Sequence, residues 1–143
     1  MATVWKKPVD LAAMTAGGAH VLPGLVGIEF IDHGDDWLRA RMPVGPKTHQ
    51  PYGRLHGGAS VVLAETAASV AGTLAAPEGK VVVGMEINAN HTRAARSGYV
   101  YATARAEHIG RTAQVWTIRI EDEDGNLVCL SRMTAAVIDA AAG

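Results

Sequence analysis

The chain has 143 residues, a length that suits one compact domain, and we treat 1–143 as a single unit. With 48% hydrophobic and 19% charged residues it is able to bury a core, which excludes an intrinsically disordered chain. The net charge of -1 argues against a nucleic-acid-binding protein, because phosphate binding requires clustered positive charge. A single cysteine, Cys129, excludes an internal disulfide and fits a reducing compartment, so we expect a cytoplasmic protein.

The most apolar stretch of the sequence, 57–77, is nearly as long as a membrane span, which takes roughly 20 residues. It nevertheless contains hydroxyl side chains and one glutamate, and Ala and Gly replace the large apolar residues of a typical span. The first ten residues lack the apolar run of a signal peptide. We therefore expect a soluble protein without a membrane partner.

Short elements are predicted before this stretch. Residues 9–16 have the pattern of a short helix, with Asp10 as its N-cap and a pair of glycines at its end. Alternating polarity on either side of a turn predicts two hairpin strands, 27–32 and 37–44. Residues 45–55 contain Gly-Pro, Gln-Pro and a further glycine, which is typical of a loop.

One long helix and four further strands complete the pattern. Residues 58–76 are mostly Ala, Val, Leu, Ser and Thr, which predicts a helix of about 30 Å. Alternation then predicts strands at 81–91, 98–107, 114–121 and 127–138, with Asp124-Gly125 as the hairpin turn between the last two. In the first of these strands we expect one face to hold Val81, Val83, Met85, Ile87 and Ala89. The order predicts an α+β domain in which about six antiparallel strands wrap around one helix, with its core from about 24 to 138.

Within the predicted long helix one acidic residue stands alone. His56 and Glu65 are the only ionisable side chains between Arg54 and Glu78. A helix so poor in charge is expected to be covered on most sides. The Glu65 carboxylate would then be poorly hydrated, which would make it a stronger base or nucleophile. Ser69 lies one turn further along the same face. Alternatively, Glu65 lies on the solvent-exposed stripe of an amphipathic helix, and the residues alone leave both interpretations open.

The start of this helix carries Gly57 and Gly58, which are expected to leave backbone N–H groups uncovered at the positive end of the helix dipole. Such groups polarise a carbonyl and stabilise an oxyanion. His56 beside them is either a helix cap or part of that site. Glu65 is nine positions after His56, roughly 13 Å along the axis, which is too far for one carbonyl to meet both. Either the two features are unrelated, or a second copy with an antiparallel helix completes the site.

The segment from Gln50 to Ser69, QPYGRLHGGASVVLAETAAS, resembles the hotdog-fold acyl-CoA thioesterases, in particular the group that acts on 4-hydroxybenzoyl-CoA and 1,4-dihydroxy-2-naphthoyl-CoA. The segment 83–91, VGMEINANH, is similar to the same group, and the resemblance extends from about 24 to 138. It implies a hotdog fold, an antiparallel sheet around one long helix. It also implies hydrolysis of an acyl-CoA thioester, with an aromatic or medium-chain acyl group, to the free acid and CoA.

The resemblance further implies roles for individual residues. Glu65 would be the nucleophile or general base, and the Gly57 N–H, with His56 nearby, would hold the thioester oxygen. Gln50 would position the carbonyl or the water, and Ser69 would orient the attacking water. In this group the two halves of the site come from different protomers of a homodimer, and two dimers form a homotetramer.

The partner molecules follow from the same resemblance. Candidate donors for the CoA phosphates are His91, Arg93 and Arg96, together with the turn Gly110-Arg111-Thr112. No separate cofactor is expected, because CoA is part of the substrate, and an acyl-carrier-protein thioester remains an alternative substrate. No metal is expected, since the six histidines lack metal-ligand spacing and Cys129 has no partner.

Three competing functions are weighed against this one. A hotdog dehydratase or hydratase also pairs a histidine with a helix acid, but its histidine usually precedes Phe-Pro-Gly, whereas His56 precedes two glycines. A non-catalytic acyl-CoA-binding hotdog module would carry a DNA-binding segment ahead of the first strand, for which we expect no room. A lipase with Ser60 as nucleophile lacks the required Gly-x-Ser-x-Gly, because Val62 replaces the second glycine.

Overall fold

The computed structural model describes residues 2–141. In chain order the elements are α1 (Leu11–Gly17), α2 (Leu22–Leu25), β1 (Glu29–His33), β2 (Trp37–Pro43), α3 (Gly57–Ala75), β3 (Lys80–His91), β4 (Tyr99–Ile109), β5 (Ala113–Glu121) and β6 (Leu127–Asp139). All six strands form one antiparallel sheet in the order β1-β2-β4-β5-β6-β3. The predicted α+β architecture, with two strands, one long helix and then four strands, is confirmed.

The N-terminal region contains one helix that the sequence predicts and one that it does not. The Asp10 side chain accepts a hydrogen bond from Ala13 N at 3.0 Å, so it is the N-cap of α1, as predicted. The second helix, α2, is a single turn with Pro23 in its first positions. A single turn is too short to show a helical period, which explains why it was not predicted.

The long helix α3 packs on one face of the sheet through small side chains. Its buried residues are Ser60, Leu63, Ala64, Ala67, Ala68, Ala71, Gly72 and Ala75. Buried Gln114 on β5 donates from Nε2 to the Gly72 carbonyl at 3.1 Å and accepts from Trp116 Nε1 at 2.8 Å, which ties the helix to the strand beneath it. The other face of α3 is half-buried, so the expectation that the helix is covered on most sides is wrong for a single copy, because the sheet lies on one side only.

By length and composition alone, α3 is the one described helix that could span a membrane, with a hydropathy of 1.3. The core helix of a soluble protein can have the same length and composition, and 44% of the most apolar 18-residue stretch of α3 is buried inside the fold. Its buried face contacts the sheet and is therefore not available to lipid.

Strand β3 differs from the expected alternation. Val82 is buried, whereas Val83 and Met85 are 45% and 65% exposed, so the prediction that Val83 and Met85 lie on one face with Ile87 is wrong. The reason is a register shift between Gly84 and Glu86 in the pairing with β6, which reverses the alternation from that point. Beyond it, Ile87 packs against the core. β3 is also an edge strand of the sheet.

The β5–β6 hairpin turns where the sequence predicts. Gly125 has a φ of 81°, which glycine adopts without strain, and the Asp122 carboxylate accepts from the backbone N–H groups of Asp124 and Asn126. Cys129 is buried in β6, as expected for a small hydrophobic side chain, and burial raises the pKa of its thiol.

Candidate active site

The loop before α3 is closed by the side chain of Gln50. Its Oε1 accepts hydrogen bonds from Tyr52 N at 2.5 Å and from Arg54 N at 3.4 Å, while its backbone N–H donates to the Arg54 carbonyl at 2.7 Å. The Nε2 group has no acceptor within residues 2–141 and is the free end of a side chain that lines a cavity together with Gly57. The loop therefore holds the Gln50 amide with its donor available at the start of α3.

His56 is the N-cap of α3. Its Nδ1 accepts from Gly58 N at 2.8 Å, so Nδ1 is unprotonated and the proton of a neutral ring lies on Nε2. The Gly58 N–H is thus already used, and the expectation that both glycines present uncovered N–H groups is wrong for Gly58. The Gly57 N–H has no acceptor in the part of the chain that the structure describes, so this is the donor left at the helix start.

A cavity of about 440 Å³ adjoins this free N–H group. Its lining includes four of the residues proposed from the sequence, namely Gln50, Gly57, His91 and Arg93. The His91 ring lies directly over Gly57, because a Cβ built on Gly57 would be 2.9 Å from His91 Nε2. Arg93 Nε lies 3.6 Å from Asp122 Oδ2. Hydrogen bonding from Asn126 and the charge of Arg93 lower the pKa of Asp122, which stays ionised beside this guanidinium.

Glu65 and Ser69 lie on the half-buried face of α3, away from that cavity. The Glu65 carboxylate rests against the backbone of Gly84 on β3 and accepts no hydrogen bond from any residue in 2–141. The Ser69 hydroxyl has one weak partner, Met133 Sδ at 3.7 Å. Both polar groups are therefore free to interact with a ligand on this face of the helix.

A second cavity, of about 470 Å³, lies between α3 and the N-terminal region, and Ser69 lines it whereas Glu65 does not. Three hydroxyl residues of α3 line it, Thr66, Ser69 and Thr73. The rest of its wall is mostly apolar, and includes Met14, Ile28, Phe30, Val70, Leu74 and Val82. The contribution of α1 to this wall, through Met14, is not predictable from the sequence, because contacts between distant segments leave no local pattern.

The structure divides the predicted site residues into separate groups. Gly57 and Glu65 are eight residues apart, about 12 Å along the helix axis, and they contact different parts of β3, His91 and Gly84 respectively. Arg96 does not line the first cavity, and its carbonyl pairs with His49 Nε2 at 3.0 Å.

The turn Gly110-Arg111-Thr112 lies at the opposite end of the sheet from His91. It lines a separate cavity of about 430 Å³ with Lys6 and Lys80, the first residue of β3. One chain therefore does not bring all the candidate phosphate donors together.

Among the residues that the structure describes, no cluster of three or more His, Cys, Asp or Glu side chains is placed to hold a metal ion. A further position next to a predicted site residue, which the sequence did not indicate, is Gly84, beneath the Glu65 carboxylate. The available signal is a glycine inside a strand, which marks a bulge or a close approach.

Comparison with known proteins identifies the family of this chain. Residues 52–129 match the thioesterase superfamily. The chain is 50% identical over 135 residues to the 1,4-dihydroxy-2-naphthoyl-CoA hydrolase of Escherichia coli, covering 94% of this chain and 99% of that protein. The chain belongs to the thioesterase superfamily.

Other superfamily members confirm both the fold and the enzyme class. The proofreading thioesterase EntH of Cronobacter turicensis is 47% identical over 135 residues, covering 94% of this chain and 98% of that protein. A thioesterase structure from Haemophilus influenzae superposes with a TM-score of 0.94 at 47% identity and covers 96% of both chains. The predicted hotdog thioesterase fold is confirmed, and the protein is a thioester hydrolase.

Proposed function

We propose that this protein hydrolyses an aromatic acyl-CoA thioester to the free acid and CoA, at an active site shared by two copies of the chain. The observation that carries this proposal is the half-buried face of α3, which presents the Glu65 carboxylate one turn before Ser69, a residue that lines a mostly apolar cavity. The superfamily membership supports the reaction, and the name of the Escherichia coli relative supports an aromatic acyl group.

In the proposed reaction Glu65 acts as nucleophile or general base. As a base, it takes a proton from water, the hydroxide adds to the thioester carbon, and the C–S bond breaks to release the CoA thiolate. As a nucleophile, its oxygen adds to the same carbon and expels the thiolate, and water then hydrolyses the mixed anhydride. In both routes the Gly57 N–H stabilises the oxyanion, with His56 fixing the helix start and the Gln50 amide orienting the carbonyl or the water.

The two routes are separated by a single turnover in heavy-oxygen water, with enzyme in excess of substrate. Label recovered in the Glu65 carboxylate by peptide mass spectrometry supports the anhydride. Label confined to the product acid supports direct attack by water, with Ser69 orienting that water.

Two observations support a shared site. The free Gly57 N–H and the Glu65 carboxylate are about 12 Å apart along one helix, so one copy does not place both on one carbonyl. The half-buried face of α3 and the apolar edge of β3, with exposed Val83 and Met85, offer surfaces that a second copy would cover. With the two α3 helices antiparallel, Glu65 of each copy approaches Gly57 of the other.

The same pairing supports the proposed phosphate contacts. His91 and Arg93 lie near the C-terminal end of β3, whereas the turn Gly110-Arg111-Thr112 lies beside Lys80 at its start. Antiparallel contact between two β3 edges brings these ends of the two copies together, so the CoA phosphates would be bound by both. Arg96 remains a candidate phosphate donor, in the group that contains His91 and Arg93. We further propose that two such dimers form a homotetramer in the cytoplasm, and analytical ultracentrifugation tests the assembly.

The substrate class is tested with a panel of thioesters in one assay that detects released thiol. The panel contains benzoyl-CoA, hydroxybenzoyl-CoA, naphthoyl-CoA and straight-chain acyl-CoA, and the best acyl group is also presented on acyl-carrier protein. Because the cavity joins an apolar wall to hydroxyl groups, three of them on α3, the hydroxylated aromatic thioesters are expected to have the highest kcat/KM. A preference for medium-chain acyl-CoA would reject the aromatic assignment while keeping the hydrolase.

A further inference from the structure

Gly84 lies directly beneath the Glu65 carboxylate. A Cβ built on Gly84 would collide with Glu65 Oε2 and would lie 3.3 Å from Glu65 Cδ and 3.5 Å from Met133 Sδ. Glycine is therefore the residue that leaves room for the carboxylate in its present position. No hydrogen bond or ion pair from residues 2–141 holds this carboxylate, so contact with the Gly84 backbone is what locates it within one chain.

The bulge beside Gly84 adds a second effect at the same place. Up to Gly84 the strand alternates, with Val82 and Gly84 facing α3. Regular alternation would turn Glu86 towards the helix next, but the register shift between Gly84 and Glu86 leaves Glu86 exposed and turns Ile87 inward. The bulge thus keeps a second carboxylate away from Glu65, and like charges at such close range would oppose each other.

We propose that Gly84 is a positioning residue for the hydrolysis. Because Gly84 has no side chain, the Glu65 carboxylate lies close to the strand backbone, in the position from which it reaches the thioester carbon. This inference rests on the proposed role of Glu65. The atom that an added methyl group meets is the far end of a flexible side chain, so the fold accommodates the methyl group and the carboxylate moves aside. A displacement of about 1 Å at a reacting group costs up to about a hundredfold in rate.

The test compares Gly84→Ala with a matched control, Gly45→Ala. Gly45 has an ordinary φ, and a Cβ there meets no atom within 4 Å. Gly84→Ala is expected to lower kcat by about tenfold or more, with KM within about twofold and the thermal midpoint close to that of the wild type. Gly45→Ala is expected to keep both constants. A Gly84→Ala enzyme with wild-type kcat overturns the inference, and so does one that fails to fold, because the inference requires that the carboxylate alone is displaced.

A double-mutant cycle with Glu65→Asp separates positioning from a general effect on the strand. The shorter aspartate does not reach the space above Gly84, so adding Gly84→Ala to Glu65→Asp is expected to cost less than about twofold. Full additivity of the two losses would assign Gly84 a structural role instead. If Glu65→Gln itself retained normal turnover, the proposed role of Glu65 would fail first. An inactive Glu65→Gln enzyme beside a normal Gly84→Ala enzyme would reject the positioning role alone.

Discussion

The two faces of α3 have different residues and different surroundings. The face on the sheet is made of Leu63, Gly72 and six small residues, and it is buried. The opposite face is half-buried and carries one carboxylate and three hydroxyl groups, on Glu65, Thr66, Ser69 and Thr73. In one helix of nineteen residues, one face therefore attaches the helix to the sheet, and in the proposed site the other face presents the reacting groups to a ligand and to a second copy. Substitutions on the two faces should accordingly change different quantities.

The largest effect is expected for a substitution of Glu65, on the half-buried face of α3. Glu65→Gln removes the charge but keeps the shape, so kcat should fall by about 10³-fold while the thermal midpoint stays unchanged. Glu65→Asp withdraws the carboxylate by one methylene and should recover little of this loss. Steady-state kinetics and thermal unfolding of the purified variants measure both. A Glu65→Gln enzyme that keeps near-normal turnover would show that this face does not carry the reaction.

A substitution on the covered face should give the opposite result. A Cβ on Gly72 would lie 2.6 Å from both Gln114 Oε1 and Val82 Cγ2, in a buried region where Gln114 is already hydrogen-bonded. Gly72→Ala is therefore expected to cost about 1–2 kcal/mol of unfolding free energy, after the helix-propensity gain of alanine is included. Urea unfolding measures the loss, and kcat at a temperature well below the midpoint should stay within about twofold. A large loss of kcat with unchanged stability would contradict the division between the faces.

Ser69→Ala, also on the half-buried face of α3, should have a smaller effect on kcat than Glu65→Gln. Its hydroxyl has only a weak bond to Met133 Sδ, so little stability is lost, and removing one hydrogen bond to water or substrate should lower kcat about three- to tenfold. The neighbouring Thr66→Val variant, which keeps its size, is a useful comparison for hydroxyl loss on the same face. Equal losses for both variants would indicate a change in the cavity wall rather than a specific role for Ser69.

The elements that the sequence predicted well are those with a strong local period. The alternation in β4 and β5 and the Asp124-Gly125 turn depend on neighbouring residues, and all appear as expected. The exposed side of β3 was predicted wrongly because a bulge at Gly84 leaves no trace in hydrophobic alternation.

The site could be predicted only in part, for a similar reason. Glu65 stood out because it is the lone acid of an apolar helix, and His56 because it precedes two glycines. The hydrogen bond from Gly58 N to His56, the contact of His91 with Gly57, and the seat of Glu65 on Gly84 all depend on three-dimensional placement. Contacts between distant segments leave no local signal in the chain.

The shared site is tested most directly by mixing two variants that are each inactive. Glu65→Gln removes the carboxylate. Gly57→Pro removes the free N–H at a helix position that suits proline, after the extended His56 backbone. The added Cβ also displaces the His91 ring of the same chain, which belongs to the same half of the proposed site, so both effects of Gly57→Pro fall on that half. Losing one oxyanion donor should lower kcat by about 10²–10³-fold. The two chains are co-expressed with different tags, and the mixed assembly is isolated by sequential affinity purification.

In a mixed dimer one of the two sites carries both substitutions, and the other is fully wild-type. We predict that the doubly tagged assembly recovers about half of the wild-type kcat if it is a dimer, and about a quarter if it is a tetramer of randomly paired chains, although each parent variant is nearly inactive. If the doubly tagged assembly stays as inactive as its parents, the carboxylate and the N–H group act within one chain, and the shared site is contradicted.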